Sequence, residues 1–450
     1  MKIFLILLIG LLLRLINLNQ SFWLDEAAQV IESSRPFFQQ FDLAADFHPP
    51  LYHLFLHFWL KMGRSEIWIR FLSVILGFSC LWYVYKLAKL KFKEGPSLAA
   101  ALLLAVSAYH VYYSQETRPY ILFSLLSLVS TYYLLKKNYA VFTAVLIASW
   151  YSSYFTPLLL FGQGLAVFFQ EKKELRLFIR SAVISLFFFL PWLPELKLQL
   201  AVGFSGSFTG WQEIVSFGML RNLGLAFARF SLGRVSLDNN YIYFLLIVPL
   251  LAASLWSGWA SLRKKRNMEF SLLFWGPFLL SLVLSYFLPV VAPQRLLFLL
   301  PFLYLSIVSE LNPKPLFYAI VFISLASLGA YYYFPRFQRE NWREAVAFIE
   351  NDKGGNKLAV FAFPEPFAPF QWYSRKVSGL GSAEKFWVNE SDLNRLNRNF
   401  TNRQKVYLFN YLQELTDTED RLGQELEDSG YRQVNIVNFE GVGFIRIYEN

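Results

Sequence analysis

Apolar residues along the first 334 positions come in long blocks, separated by short charged or turn-rich pieces. A helix rises 1.5 Å per residue, so crossing a bilayer core takes about 20 apolar residues. Block length and flanking charge predict about eleven spans. They lie near 3–18, 67–86, 97–113, 119–135, 139–153, 155–170, 178–194, 240–260, 270–290, 295–311 and 315–333. Beyond Phe334 the pattern turns polar and alternating. Periodicity there predicts a helix over 340–352, strands at 358–363 and 406–410, and a helix over 418–429. A hairpin over 434–439 and 443–448 would turn through Glu440-Gly441-Val442. The expected fold class is an α-helical polytopic membrane protein. A transmembrane domain fills 1–334, and a small α/β domain, in which no catalytic motif is evident, fills 335–450.

Composition agrees: 55% of the 450 residues are hydrophobic and only 16% charged, against about a quarter charged in soluble proteins. The formal charge of +10 invites a nucleic-acid partner, but its distribution argues against one. The basic residues cluster between apolar blocks, at Lys86/Lys89/Lys91/Lys93, Lys136/Lys137, Lys172/Lys173/Arg176/Arg180 and Arg263/Lys264/Lys265/Arg266. Those are cytoplasmic loops under the positive-inside rule. With Lys2 inside, alternation puts all four clusters on the cytoplasmic side of a plasma-membrane protein. It puts 19–66, 114–118, 195–238, the turn at Ala292-Pro293-Gln294 and the polar tail outside. The apolar stretch 50–61 is too short to span and reads as an interfacial helix. Cys80, the single cysteine, permits no intramolecular disulfide and leaves the redox compartment open. The apolar N-terminus lacks a small-residue cleavage site, so it reads as a retained first span.

Four polar clusters fall on the predicted outer face. Asp25-Glu26 follow the first span; adjacent carboxylates at a water–lipid boundary suit a general base or a metal, and the same residues make a good helix start. Asp46-Phe47-His48-Pro49-Pro50-Leu51-Tyr52 ends the first loop, where His48 can donate to a phosphate or ligate a metal. His53 and His57 share one helical face, but no third ligand follows at motif spacing, so they read as a polar stripe at the headgroups. Tyr113-Ser114-Gln115-Glu116-Thr117-Arg118-Pro119-Tyr120 is squeezed between two spans, where Glu116 and Arg118 either pair or serve a site. Arg295 is either a snorkelling anchor or a fork for a lipid-borne phosphate. Carboxylates and cations on one membrane face suit deprotonation of an acceptor hydroxyl while a departing phosphate gains charge.

Asp25-Glu26, the His-Pro-Pro-Leu-Tyr of 48–52 and the Tyr-Ser-Gln-Glu-x-Arg-Pro-Tyr of 113–120 resemble the bacterial branch of the protein-O-mannosyltransferase-like superfamily, fold type GT-C. The Arg295-Leu-Leu segment with Pro301 is similar to that family's late outer-face arginine motif. The resemblance covers about residues 1–335, and the tail resembles the soluble C-terminal domain of many bacterial members. It implies a polyprenyl-phosphate sugar donor and a catalytic Asp in the first outer loop, which by match is Asp25. Glu116 would take the second acidic position, where several relatives carry Asp. His48 sits where some relatives place a lysine near the lipid phosphate, making a cation there pH-dependent. Some relatives bind a metal through an acidic residue just before that position. Phe47 stands there in this chain, so no metal ligand is carried over, and a divalent cofactor stays open.

The sequence thus reads as a transferase moving a sugar from a polyprenyl phosphate to a hydroxyl on a cell-envelope glycan, a lipid-linked glycan or a protein. Asp25, Glu26 and Glu116 are the catalytic candidates; His48, Arg118 and Arg295 are the phosphate-binding ones. A flippase for lipid-linked sugars would carry ionisable residues at mid-span and paired broken helices, whereas most polar residues here lie at block ends. A polymerase or ligase of lipid-linked sugars is a neighbouring chemistry, and a membrane scaffold with an outer binding domain is the non-enzymatic alternative.

Overall fold

Each apolar block forms helix, as backbone groups in lipid must be satisfied within their own segment. The computed structural model describes residues 1–44, 46–204, 219–264, 267–287, 292–310, 314–362, 367–381, 387–400 and 403–450. Lys265 and Arg266 of the last basic cluster, the middle of the 195–238 loop and Phe363 at the end of an expected strand lie outside them. The contacts divide the chain into two units. One comprises Met1–Leu18, Arg35–Gln199 and Val215–Phe337; the other holds Asn19–Ser34 and Gln338–Asn450 with a short piece beginning at Leu200.

In the helical unit α1 (Lys2–Leu15) is followed, after the departure of 19–34, by α3 (Leu51–Trp59), α4 (Glu66–Lys89), α5 (Glu94–Val106) and α6 (Ala108–Ser114). Then come α7 (Tyr120–Leu135), α8 (Tyr139–Trp150), α9 (Thr156–Gln170), α10 (Leu175–Phe189), α11 (Leu193–Phe204) and α12 (Met219–Leu232). The last are α13 (Asn240–Lys264), α14 (Met268–Phe287), a 3₁₀ turn at Pro293–Leu299, α15 (Leu300–Glu310) and α16 (Lys314–Tyr333). Among the described residues, 5 helices are long and apolar enough to cross a membrane. The pair α5–α6, bent by 62°, makes a sixth if it is one span. Helices α7, α8 and α9 occupy expected spans but are shorter. Length alone therefore supports fewer crossings than the apolar blocks predict. The expected 295–311 span is a 3₁₀ turn running into the 11-residue α15. The stretch expected to lie at the interface is helical, as α3.

Small hydroxyl residues stitch these helices together, as they do where water offers no hydrophobic drive. Ser257 of α13 and Ser271 of α14 both reach Ser306 of α15, at 3.1 and 2.6 Å. Gln163 of α9 donates to Ser130 and Thr131 of α7 at 2.9 and 3.0 Å. The end of α1 is clamped by Gln115, which donates to the carbonyls of Arg14 and Ile16, and by buried Arg70, which donates to that of Leu18 at 2.9 Å.

The second unit is built on a five-stranded mixed sheet. Its strands are β1 (Lys357–Phe361), β2 (Ser378–Gly381), β3 (Lys405–Phe409), β4 (Arg432–Phe439) and β5 (Gly443–Glu449), in the order β2-β1-β3-β5-β4. β1 runs parallel to β2 and β3, and β5 pairs antiparallel with β3 and β4. Alternation sends Leu358, Val360, Val406 and Leu408 to one face, with Leu396 and Phe400 of α19 (Glu390–Phe400) and Leu422 and Leu426 of α21 (Arg421–Asp428). The opposite residues Ala359, Phe361, Tyr407 and Phe409 meet Trp342, Val346 and Ile349 of α17 (Trp342–Asn351) and Phe370 of α18 (Ala368–Tyr373). Leu24 of α2 (Leu24–Ser33) packs on this second core. Expected and observed elements coincide for α17, β1, β3, α21 and the β4–β5 hairpin; β2, α18 and α19 are additional.

Candidate active site

The helical unit brings His48 to Asp46, Arg118 to His48, and the charge of Arg295 to bear on His48. Asp46 is buried, with Oδ1 2.8 Å from His48 Nδ1 and Oδ2 2.9 Å from His53 Nε2. An ionised carboxylate only accepts, so both imidazoles donate to it. Arg118 Nη2 stands 3.3 Å from that same His48 nitrogen, and its guanidinium lies 6.0 Å from the centre of the Tyr120 ring. Tyr120 also meets His48 edge-on at 5.6 Å. Arg295, in the 3₁₀ turn, adds its charge to the field at His48. Burial by itself would raise the Asp46 pKa; His48, His53 and Arg118 outweigh it and hold the group well below the usual carboxylate range. At His48 burial lowers the pKa from 6.5, and Arg118 and Arg295 push the same way against Asp46. Burial and the two arginines thus favour the neutral form of His48 over the cation. The positive charge here comes from the arginines.

Asp46 stood at the edge of a noted cluster without a role. The acid expected immediately before His48 is absent, yet Asp46, one residue further back, reaches the same imidazole. Asp46 and His53 offer a carboxylate oxygen and an imidazole nitrogen, donors that suit a divalent cation. His57 instead lies 6.1 Å from the Phe37 ring and does not extend this set.

Glu116 is buried in the turn between α6 and α7, where its carbonyl accepts from Arg118 N at 2.9 Å. Its charge is felt by Tyr109, Tyr113 and Arg234. Arg234 is a further cation that sequence reasoning passed over; it stacks 5.3 Å over Tyr112. The signal that finds it is its neighbour Gly233, which ends α12 with φ +63 and donates its N–H to Arg229 O at 2.9 Å. A Cβ there would meet Ala108 and the backbone of Tyr109 at 3.0–3.2 Å, so a side chain would push the loop off the start of α6.

The turn holding Glu116 and Arg118 is anchored by Arg14. The break at Ser107 leaves the carbonyls of Leu104 and Ala105 without helical donors, and buried Arg14 supplies them at 3.2 and 3.1 Å. It also donates to Gly10 O at 2.7 Å and Ser114 Oγ at 3.1 Å, and lies 2.8 Å from His110 Nδ1. Gly77 of α4 leaves room for this: a Cβ there would sit 2.2 Å from Ser114 Oγ.

Asp25 and Glu26 belong to the other unit, in the first turn of α2. The N-cap is Trp23, with no side-chain cap hydrogen bond, so Asp25 is not the cap. Asp25 lies in the field of Tyr411, whose hydroxyl donates to Glu340 at 2.9 Å; burial first, and then Glu340, raises that phenol's pKa well above its usual value. Glu26 is fully buried and lies 3.4 Å from Arg339 Nη1, equally enclosed. Glu26 therefore has an ion-pair partner that its sequence position did not reveal.

Comparison with known proteins adds a frame to this geometry. The family described as dolichyl-phosphate-mannose-protein mannosyltransferase matches residues 47–194. No curated protein matches the chain in sequence. Among solved structures, ArnT from Cupriavidus metallidurans in the apo state is 11% identical with a TM-score of 0.59, over 99% of this chain and 97% of that one. The same protein bound to undecaprenyl phosphate has a TM-score of 0.62 at 11% identity and the same coverage. The oligosaccharyltransferase AglB from Archaeoglobus fulgidus, in complex with an inhibitory peptide and a dolichol-phosphate, is 11% identical with a TM-score of 0.56, over 99% of this chain and 74% of that one. The chain has the GT-C fold, and its apolar helices make it a multi-pass membrane protein.

Proposed function

We propose that this GT-C chain is a glycosyltransferase that takes a sugar from a polyprenyl-phosphate carrier and gives it to a hydroxyl acceptor on the outer face of the membrane. The observation that carries the reading is the grouping of His48 and Arg118 about buried Asp46, with the charge of Arg295 acting on His48, in a fold shared with ArnT, which has been solved with undecaprenyl phosphate bound. In this reading Asp25 takes the proton of the acceptor hydroxyl, whose oxygen attacks the anomeric carbon. The bond from that carbon to the phosphate oxygen breaks, and the electron pair leaves with the polyprenyl phosphate. The departing phosphate gains negative charge, which Arg118 and Arg295, beside His48, offset. Glu116 is the second acidic group of the site, and Glu26 is a holding group through Arg339. A divalent cation held by Asp46 and His53 would supply further positive charge for the phosphate.

The acceptor in this reading is an envelope glycan, a lipid-linked glycan or a protein. Mass spectrometry of envelope glycans and lipid-linked sugars, with and without this protein, tests it. Loss of one sugar from a glycan with build-up of one polyprenyl-phosphate sugar is the expected result; an unchanged lipid-linked pool overturns it.

A further inference from the structure

Six of the first eight residues after Leu18 are tied to the C-terminal unit. Arg343 Nη2 donates to Asn19 O at 2.6 Å, and Arg339 N donates to Gln20 Oε1 at 2.9 Å. Ser21 Oγ donates to Glu340 O, and Phe22 N donates to Tyr373 Oη at 2.7 Å. The Phe22 ring meets Trp372 edge-on at 5.8 Å, and Glu26 pairs with Arg339. Leu24 adds its side chain to the core formed by Trp342, Phe361 and Phe409. Two of these contacts hold backbone groups of the segment, Asn19 O and Phe22 N, so they set the path of the chain into α2 rather than a side-chain rotamer.

The anchors come from two stretches, 339–343 before and within α17 and 372–373 at the end of α18. Both stretches pack on the same face of the sheet. A buried ion pair contributes little net stability but is costly to break, so it specifies one arrangement over others. We infer that the C-terminal α/β unit is the scaffold that orients the helix carrying Asp25, with Arg339 and Tyr373 as positioning residues. This rests on the reading of Asp25 as the base, and it assigns a role to a domain that carries no catalytic motif of its own. A scaffold of this kind acts on the rate of transfer and leaves the affinity for the carrier phosphate to the helical unit.

The test uses the full chain in lipid nanodiscs, with undecaprenyl phosphate as the binding probe. In Arg339→Met, amide hydrogen exchange over 24–33 should rise about tenfold or more, with the β1 and β3 amides still protected. Its affinity for undecaprenyl phosphate should stay within about twofold of wild type, while transfer, read as build-up of polyprenyl-phosphate sugar in cells, falls about tenfold or more. Glu26→Gln combined with Arg339→Met should recover part of that loss, since no buried charge is then left alone. If Arg339→Met also exposes the sheet, Tyr373→Phe decides, because it removes only the hydroxyl that receives Phe22 N. It should loosen 24–33 alone. Unchanged exchange of 24–33 in both variants overturns the scaffold, as does a loss of carrier affinity equal to the loss of transfer. Normal transfer by Asp25→Asn would overturn the base reading instead, and the exchange result would still decide what holds α2.

Discussion

Asp25 occupies the second helical position of α2, two residues past a tryptophan N-cap, so its carboxylate is not engaged as the cap. An acceptor hydroxyl is a poor nucleophile at neutral pH, and a positioned base is worth about 10²–10⁴ in rate. Asp25→Asn keeps size and most hydrogen bonding, and should give a folded protein whose transfer rate falls by about that factor. Single-turnover transfer from a polyprenyl-phosphate sugar checks it. Arg295→Lys should also be impaired, since a point charge does not replace a bidentate fork; an unchanged KM for donor would make Arg295 only an anchor. His48 makes a different prediction. Its pKa is lowered from 6.5, so the folded protein binds fewer protons than the unfolded chain just below that pH. Its contribution to stability is complete above 6.5 and is lost as pH falls through the folded value. Carrier affinity of wild type and His48→Gln should therefore change in parallel between about pH 7 and 8. A fall confined to wild type would restore His48 as the cation.

The bent pair α5–α6 is the element on which the helical part of the site turns. Its break point has a cap that sequence can offer, Ser107, whose hydroxyl accepts from His110 N. The carbonyls freed on the other side of the break need a partner from a distant element, and Arg14 of α1 provides it. Arg14→Leu strands those carbonyls and should cost about 1–3 kcal/mol for each one left buried without a donor. Thermal unfolding of the full chain in nanodiscs should show the loss, and Arg14→Lys should recover only part of it, having one nitrogen for five contacts. Equal unfolding temperatures for wild type and Arg14→Leu would mean that other groups hold the bend. Arg14 reads in sequence as one charge near the end of an apolar block, and periodicity carries no sign of the broken helix it serves.

At the scale of the whole molecule, the basic clusters make topology testable. A reporter fused after Asn450 should lie outside the cytoplasm, and one inserted near Lys264 inside it, by enzymatic or accessibility labelling. A cytoplasmic C-terminus would refute the alternation that puts the candidate residues on one face. The division of the chain also departs from a simple boundary after Phe334, because 19–34 associates with the C-terminal unit. Backbone hydrogen bonds and a buried ion pair with residues more than 300 positions away bring it there. No local pattern announces such contacts.

Local rules were legible where a strong period or a cap dominates. The apolar blocks became helices because lipid leaves the backbone no alternative, and β1, β3 and the β4–β5 hairpin followed from alternation and a Gly-containing turn. The two candidate motifs, 46–52 and 113–120, were legible because charge at a membrane boundary is costly and therefore conspicuous. What escaped were elements made by their neighbours. β2 is Ser-Gly-Leu-Gly, a poor strand former that exists because β1 offers a parallel edge. The crossing count rests on helix length and bending, which depend on packing rather than on hydropathy. The amino-acid sequence by itself therefore determined a polytopic helical chain with a polar α/β tail and the residue types of a candidate site. Only the tertiary structure decided that Asp46 serves His48, that Arg234 stands by Glu116, that Glu26 belongs to Arg339 and that the Asp25 helix is held by the tail. Each is a side-chain partnership across many intervening residues, set by packing and by the cost of leaving a buried polar group alone.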